Sequence, residues 1–155
     1  MKLRDVIEPG LIFLELEARD GEGALAAVSD KLAVSTELEA ATILGALRDR
    51  EALGSTSVGN GFAIPHCKLT ALDEIVVALA RIGDGVAFYD GKNHSPVRFF
   101  FVVLSPPDRP TEHLQVLSQI ARILKNEELR GALIEAPDTA AVISAIDRAV
   151  EQEGV

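Results

Sequence analysis

The side chain with the most distinctive chemical setting is His66. It follows residues 54–65, GSTSVGNGFAIP, a stretch rich in glycine, serine and threonine. Glycines let backbone N–H groups approach a bound anion closely, and Pro65 restrains the backbone just before the histidine. A neutral imidazole nitrogen is a competent nucleophile toward phosphorus near pH 7 when its other nitrogen is held by a hydrogen bond. The pattern is compatible with a phosphoryl acceptor, and a structural histidine is the open alternative.

Two further residues could bind the anion that such a reaction transfers. Arg50 ends a predicted helix and carries a fixed fork of N–H donors that suits phosphoryl oxygens. His113 lies in the first turn of a helix predicted to begin near Thr111, where the helix dipole favours nearby anions. The pattern also allows an exposed first-turn residue at this position. The third histidine, His94, lies in the polar segment GKNHSP and is interpreted as a solvated loop residue.

Short apolar runs predict the strands that must position these residues. The predicted strands are residues 11–16, 62–64, 75–82 and 97–104. The last two are apolar enough to be buried on both faces of a sheet. Between them, residues 90–96 are predicted to form a turn.

Hydrophobic periodicity predicts the helices. They are expected at residues 23–32 and 36–50, from 111 and from 126 onward, and at 138–150. In the second helix, Thr36 and Glu39 have the spacing of an N-terminal capping box. The helix that begins near Thr111 is expected to bury an apolar face made of Leu114, Leu117, Ala121 and Leu124.

The order of these elements is a strand, two helices, several strands and then helices. It predicts an α/β protein (α+β by strict classification), built as a three-layer α/β/α sandwich whose mixed β-sheet is flanked by helices. At 155 residues the chain has the usual size of one hydrophobic core. Residues 1–155 are therefore expected to form a single domain.

The composition argues against several classes of function. With 48% hydrophobic and 25% charged residues, the chain is typical of globular proteins and not of disordered ones. The net charge of −9 disfavours nucleic acid or an anionic membrane as the main partner, because both need a dense basic face. The strongest apolar run, residues 99–104, is too short for a membrane helix, and acidic residues interrupt the N-terminus where a signal peptide would be apolar. We therefore expect a cytoplasmic protein without direct membrane insertion.

Two motifs together resemble those of a known family. Residues 50–56 (REALGST) and 59–66 (GNGFAIPH) resemble the signature of the fructose/mannitol-type enzyme IIA domains, EIIA type 2, of the bacterial phosphotransferase system. The standalone nitrogen-regulatory (PTS-Ntr) members are the most similar in this stretch. Residues 111–114 (TEHL) resemble the second family motif, which also precedes a helix. The resemblance extends over nearly the whole chain.

The resemblance implies roles for four residues. His66 would accept a phosphoryl group on the ring nitrogen remote from the main chain, giving tele-phosphohistidine. His113 would help to hold that group, and Arg50 and Thr56 would bind it in the same pocket. The donor would be a histidine-phosphorylated carrier that resembles HPr or NPr, and the acceptor or reader would be an EIIB domain or a regulatory target protein. The resemblance implies neither a cofactor nor a metal ion.

The sequence departs from the family pattern at two positions. Cys67 follows the active histidine where glycine is usual, and Ser57 replaces a common glycine. A positive φ at Cys67 would strain the backbone, whereas an ordinary φ would make Cys67 a small packing residue, which we favour. A redox-sensing role for this thiol is a further hypothesis. As the only cysteine of the chain, Cys67 cannot form an intrachain disulfide, which fits a reducing compartment.

Several functions compatible with these motifs stay open. The preferred one is regulatory phosphoryl relay, and the nearest alternative is sugar transport, in which phosphate passes to an EIIB cysteine for fructose or mannitol uptake. A protein-binding module of the same fold, without phosphorylation, is an alternative of another class. The joint presence of His66, His113 and Arg50 argues against it. A metal site built on two histidines is disfavoured, because no close His-x-x-His or cysteine-rich spacing is present.

Overall fold

The structure is a computed structural model that describes residues 1–88 and 96–155. The strands in this part of the chain are β1 (Ile7–Phe13), β2 (Ser57–Gly59), β3 (Phe62–Ala63), β4 (His66–Lys68), β5 (Val76–Val86) and β6 (Val97–Ser105). The helices are α1 (Leu3–Val6), α2 (Gly21–Thr36), α3 (Ala40–Ala52), α4 (Pro110–Ile123), α5 (Glu127–Glu135) and α6 (Thr139–Glu153). His94 and nearly all of the predicted 90–96 turn lie outside the described residues.

The strands form one mixed sheet in the order β1-β5-β6-β3-β2, and β4 also pairs with β6. β5 and β6 are antiparallel to each other, whereas β1 runs parallel to β5, and both β3 and β4 run parallel to β6. Helices cover both faces of this sheet. The predicted α/β sandwich with a mixed sheet is therefore confirmed.

The hydrophobic core is divided into two layers by the sheet. Side chains along β6 alternate between the layers: Phe99 and Phe101 pack with α1, α4, α5 and α6, while Phe100 and Val102 pack with α2 and α3. All four side chains are buried. The prediction that the two long central strands are buried on both faces is confirmed. β6 contributes side chains to both core layers and so contacts the helices on each side of the sheet.

Two predicted element starts are wrong. The first strand runs over Ile7–Phe13 and not over residues 11–16. β1 contains Pro9 and Gly10, residues that disfavour a central strand, but it lies at the edge of the sheet and its register shifts between Ile7 and Ile12, where a proline is tolerated. The predicted capping box is also absent, because Thr36 ends α2 and its hydroxyl donates to the carbonyl of Leu32 at 2.8 Å. α3 begins later, after Glu39.

The buried face of α4 is rotated from the predicted one. Leu114 is 64% exposed and Ala121 is exposed, whereas Leu124 is buried beyond the helix end and Leu117 is half-buried. The buried positions of α4 are His113, Val116, Ile120 and Ile123. The prediction used leucines to define the stripe and did not consider that a histidine could begin it. In the structure, His113 instead faces inward and Leu114 lies on the surface.

Candidate functional site

An open cleft of about 600 Å³ lies between the C-terminal half of α3, strand β4 and the first turns of α4. It brings together three of the four predicted site residues, Arg50, His66 and His113. Two exposed leucines, Leu53 and Leu114, also line it. The cleft thus combines two imidazoles, a guanidinium group and an apolar rim.

His66 is positioned by the path of the chain along β6. β3 and β4 both pair with β6, and the path is interrupted at Ile64 and Pro65. The interruption leaves the Ile64 carbonyl free to accept a hydrogen bond from His66 Nδ1 at 2.7 Å. A carbonyl oxygen can only accept, so Nδ1 must carry a hydrogen, and in the neutral ring Nε2 then has the free lone pair.

The surroundings of His66 also keep its ring neutral. Burial lowers the pKa of His66 below its ordinary 6.5, and the positive charge of Arg50 lowers this pKa further, against the opposing effect of the Ile64 hydrogen bond. The side chain is only partly buried, so a partner can reach it. His66 therefore presents an unprotonated, accessible Nε2 near neutral pH.

His113 is buried in the first turn of α4, with 6% of its surface exposed. Its Nδ1 lies 2.5 Å from the hydroxyl of Ser105, the last residue of β6. The ring centroids of His66 and His113 are 5.6 Å apart. Burial lowers the pKa of His113 to about 4, with smaller contributions from His66 and Lys68, so His113 is also neutral near pH 7.

Two cations flank the imidazoles. Arg50 donates from Nη1 to the carbonyl of Gly54 at 2.9 Å, which ties its side chain to the loop after α3. Lys68 follows His66 by two residues in β4, lines the same cleft and is exposed. Alternate residues of a strand share a face, so predicting β4 would have drawn attention to Lys68, which the sequence reading missed.

Thr56 occupies a different position from the other three residues. It is buried, and both its main-chain N–H and its hydroxyl donate to the carboxylate of Glu51 in α3. Glu51 is itself 3% exposed, and burial raises its pKa while the bonds from Thr56 oppose that rise. Thr56 is not among the residues that line the cleft. Here it fastens the loop to α3, and its contact with a phosphoryl group stays a prediction.

A tight hairpin shapes the glycine-rich loop before His66. β2 and β3 are antiparallel, and the two residues between them, Asn60 and Gly61, have φ of 58° and 86°. Two consecutive positive φ values are what a two-residue hairpin of type I′ requires, and Asn-Gly is its preferred sequence. The sequence predicted a loop followed by a strand at residues 62–64, but not the hairpin, although the Asn-Gly pair is a strong hairpin signal.

Cys67 borders the cleft, but its side chain is largely buried in the core. It is 7% exposed and belongs to the core layer beneath α2 and α3. Among the described non-glycine residues only Glu37 and Asn60 have positive φ, so Cys67 carries no such strain. Its interpretation as a packing residue is confirmed. Burial raises the pKa of the thiol to about 12, which leaves almost no reactive thiolate at neutral pH and weakens the redox hypothesis.

Two further features of the described residues concern metal binding and membrane insertion. No three side chains of the His, Cys, Asp and Glu types come together there in a group that could hold a metal ion. Within the same residues no helix has the length and apolar character needed to cross a membrane.

Comparison with known proteins identifies the family. The family model described as "Phosphoenolpyruvate-dependent sugar phosphotransferase system, EIIA 2" matches residues 5–149. The chain belongs to this family. The role of phosphoryl carrier in that system, which the cleft suggests, follows from the membership. The resemblance drawn from residues 50–66 and 111–114 is thereby confirmed.

Individual relatives include both functional branches of the family. A nitrogen regulatory protein of Pseudomonas aeruginosa is 33% identical over 143 residues, which cover 92% of this chain and 92% of the relative. A fructose-specific EIIA component from Haloferax volcanii is 37% identical over 145 residues, covering 91% of this chain and 92% of the relative. The crystal structure of IIA-Ntr from Neisseria meningitidis superposes with a TM-score of 0.86 at 26% identity, covering 93% of this chain and 98% of that one.

Proposed function

We propose that this EIIA-family protein carries a phosphoryl group on Nε2 of His66. The observation that carries the proposal is the 2.7 Å hydrogen bond from His66 Nδ1 to the Ile64 carbonyl, because it leaves Nε2 as the free nucleophilic nitrogen. Burial and Arg50 lower the pKa of His66, so the lone pair is present at neutral pH. The product would be tele-phosphohistidine, and the protein would act as a phosphotransferase through that intermediate.

In the transfer step, the Nε2 lone pair of His66 forms a bond to phosphorus while the N–P bond of the donor phosphohistidine breaks. The electron pair of the broken bond stays on the donor ring. The hydrogen on His66 Nδ1 stays in its bond to Ile64, so the ring, neutral before the step, becomes positively charged when Nε2 bonds to phosphorus. A cationic ring is a good leaving group, and the phosphoryl group can therefore move on to an acceptor. Such a reaction needs positioning and charge stabilisation more than covalent catalysis.

The other cleft residues would supply that charge stabilisation. Arg50 offers a planar fork of donors to phosphoryl oxygens, and Lys68 adds a second positive charge on the face of β4 that carries His66. His113, with its ring centroid 5.6 Å from that of His66, can reach the same phosphoryl group through its free ring nitrogen. These residues give the transferred group contacts on more than one side.

We further propose that the phosphorylation state of His66 serves mainly as a regulatory signal. The nitrogen regulatory relatives support this role, since one of them aligns over 92% of both chains. The donor would be an HPr-like or NPr-like carrier, and an EIIB domain or a regulatory target would receive or read the phosphoryl group. The exposed Leu53 and Leu114 offer an apolar docking rim around the nucleophile. We take residues 1–155 as one EIIA type-2 domain acting in the cytoplasm without a cofactor.

Sugar transport is the second candidate, and one observation favours it: the fructose-specific relative is 37% identical over 91% of the chain. In this alternative the phosphoryl group passes to a cysteine of an EIIB domain and then to the incoming sugar. Incubating the phosphorylated protein with a fructose-type EIIB domain distinguishes the two roles. Rapid transfer to the EIIB cysteine would favour transport, and failure to transfer would favour regulation.

The decisive experiment is intact-protein mass spectrometry after incubation with phosphoenolpyruvate, enzyme I and the histidine carrier. We expect one added phosphoryl group, stable in base and labile in acid, that is absent from His66→Ala. His94→Ala is the matched control, since it removes a histidine without a predicted role and should label normally. No added mass on the wild-type protein, under conditions that phosphorylate the carrier, would favour the non-phosphorylated binding module instead.

A further inference from the structure

The residue that pairs with His113 has an unusual setting. Ser105 ends β6, its side chain is fully buried, and its hydroxyl lies 2.5 Å from Nδ1 of His113. Within residues 1–88 and 96–155, no other side-chain or main-chain partner of this hydroxyl is found. The pair therefore has to satisfy the hydroxyl hydrogen and the ring nitrogen together.

The chemistry of the pair selects one arrangement of hydrogens. If Ser105 donates to Nδ1, the hydroxyl hydrogen is satisfied and the neutral His113 ring carries its hydrogen on Nε2. If Nδ1 donates instead, a buried hydroxyl hydrogen has no acceptor, which is unfavourable. The low pKa of His113 agrees with a neutral ring, for which only these two arrangements exist. The first is favoured, and it leaves an N–H donor on the free side of the ring.

Strand β6 also sets the distance between the two histidines. His66 pairs with Val103 in the register between β4 and β6, and Lys68 pairs with Ser105. The Ser105 carbonyl accepts from the N–H of Leu69 at 2.9 Å, which fixes this end of β6 against the segment after β4. One strand thus positions His66 through backbone pairing and His113 through the Ser105 side chain.

We propose that Ser105 is a positioning residue for phosphoryl transfer. It donates a hydrogen bond to His113 Nδ1 and so holds His113 as the Nε2–H tautomer, with that N–H available to an oxygen of the phosphoryl group on His66. The free nitrogens of the two rings then have complementary roles, since one has a lone pair for phosphorus and the other has a hydrogen for oxygen. This inference rests on the proposed function of His66.

The tautomer is tested by ¹⁵N-detected NMR of the histidine side chains in the unphosphorylated protein. In the wild type, His113 should show a protonated Nε2 and an unprotonated Nδ1 at pH 7. Ser105→Ala should convert His113 to a mixture of tautomers and leave the His66 signals in their Nδ1–H form. Ser105→Thr, which keeps the hydroxyl, should restore the wild-type pattern. A wild-type His113 protonated on Nδ1 would overturn the proposal, and so would an unchanged spectrum in Ser105→Ala.

Transfer kinetics test the consequence, with back-transfer to the unphosphorylated histidine carrier as the assay. Ser105→Ala should still reach full labelling of His66, but the transfer rate should fall about 10-fold to 100-fold, the loss seen when the hydrogen-bond partner of a metal-binding histidine is removed. Ser29→Ala is the matched control, because Ser29 is also buried and its hydroxyl has no hydrogen-bond partner among the described residues. That variant should transfer at the wild-type rate.

The outcomes separate this inference from the function on which it rests. If His66 of the wild type is not labelled, the proposed function fails, whatever the tautomer of His113. If His66 is labelled and Ser105→Ala transfers at the wild-type rate, the positioning role of Ser105 fails and the phosphocarrier function stands. A loss of rate in Ser105→Ala that Ser105→Thr reverses, together with the tautomer change, is the result that supports the proposal.

Discussion

The two histidines of the cleft are held by different kinds of hydrogen-bond partner. His66 Nδ1 donates to the main-chain carbonyl of Ile64, which can only accept. His113 Nδ1 pairs with the hydroxyl of Ser105, which can donate or accept. His66 is only partly buried, whereas His113 is 6% exposed. The main-chain partner therefore places the hydrogen of the neutral His66 ring on Nδ1, whereas the proposed donation from Ser105 places that of His113 on Nε2.

These different partners explain how two histidines can have opposite roles toward one phosphoryl group, one as nucleophile and the other as hydrogen-bond donor. A backbone carbonyl can accept a hydrogen bond but cannot donate one. The path of the chain, which places the Ile64 carbonyl beside Nδ1, therefore decides that Nε2 is the nucleophilic nitrogen of His66. A hydroxyl can also donate, so Ser105 can hold His113 in the opposite tautomer, with its hydrogen on Nε2. The four predictions below test this contrast, from the largest expected effect to the smallest.

The largest effect should follow from replacing His66 by glutamine. This variant keeps a polar side chain of similar length but lacks the nucleophilic nitrogen, so phosphoryl acceptance should be abolished. The thermal unfolding midpoint should change little, because the side chain is only partly buried. Radiolabelled phosphoenolpyruvate with enzyme I and the carrier measures acceptance. Residual stoichiometric labelling of this variant would place the nucleophile elsewhere.

Replacing His113 should slow transfer without removing the acceptor. His113→Ala loses the proposed hydrogen-bond donor to the phosphoryl group, and onward transfer should fall about 100-fold, the usual cost of one donor to a developing charge. His66 should still become labelled at the endpoint. His113→Gln can place an amide N–H near the position of Nε2, so it should recover part of the rate. Complete loss of labelling in both variants would make His113 as essential as His66 and remove the contrast.

The stability of the protein should depend on pH more through His113 than through His66. The pKa of His113 is lowered from 6.5 to about 4, so between these values the unfolded chain binds a proton that the folded chain excludes. The stabilising contribution of neutral His113 is fully present above pH 6.5. As the pH falls toward 4, the free energy of unfolding should decrease by about 2 to 3 kcal/mol.

Urea unfolding of the wild type, His113→Gln and His66→Gln across this pH range measures the effect on the free energy of unfolding. His113→Gln should flatten the pH dependence the most. The pKa of His66 is lowered less, so His66→Gln should flatten it less. Equal slopes for the wild type and His113→Gln would contradict the burial argument for His113.

The smallest effect concerns the loop before His66. Thr56→Val removes the hydroxyl that donates to the buried Glu51 carboxylate, so it should lower the free energy of unfolding by about 1 to 3 kcal/mol. If Thr56 only fastens the loop to α3, phosphoryl acceptance by the folded variant should be nearly unchanged. A tenfold or greater fall in acceptance with little loss of stability would instead support the predicted phosphoryl contact.

Much of the fold was predictable, because strong local patterns decided it. The apolar runs of β5 and β6 are long enough to require burial on both faces, and the order of elements then required helices on each side. The errors arose where tertiary contacts overrode local signals. The edge of the sheet accommodates Pro9 within β1, and the three-residue strand β4 exists because its backbone pairs with β6. Neither contact has a local signature.

The α4 helix was predicted from the sequence, but its buried face was not. A helix beginning near Thr111 was predicted and is found at Pro110–Ile123, but its buried face contains His113 and not Leu114. Burial of an imidazole is favourable here only because Ser105, on another element, supplies a hydrogen-bond partner. The one-residue rotation both places His113 in the cleft and exposes Leu114 at its rim.

The sequence by itself determined the chemical parts of this protein: a histidine after a glycine-rich loop, a second histidine at a helix start and an arginine at a helix end. The tertiary structure decided which nitrogen of each ring is free, that Lys68 joins the cleft, and that Thr56 turns toward Glu51. The physical reason is that residue types and spacing specify local conformation. Hydrogen-bond partners and burial depend on pairs such as Ser105 and His113, whose geometry exists only once strand and helix have packed.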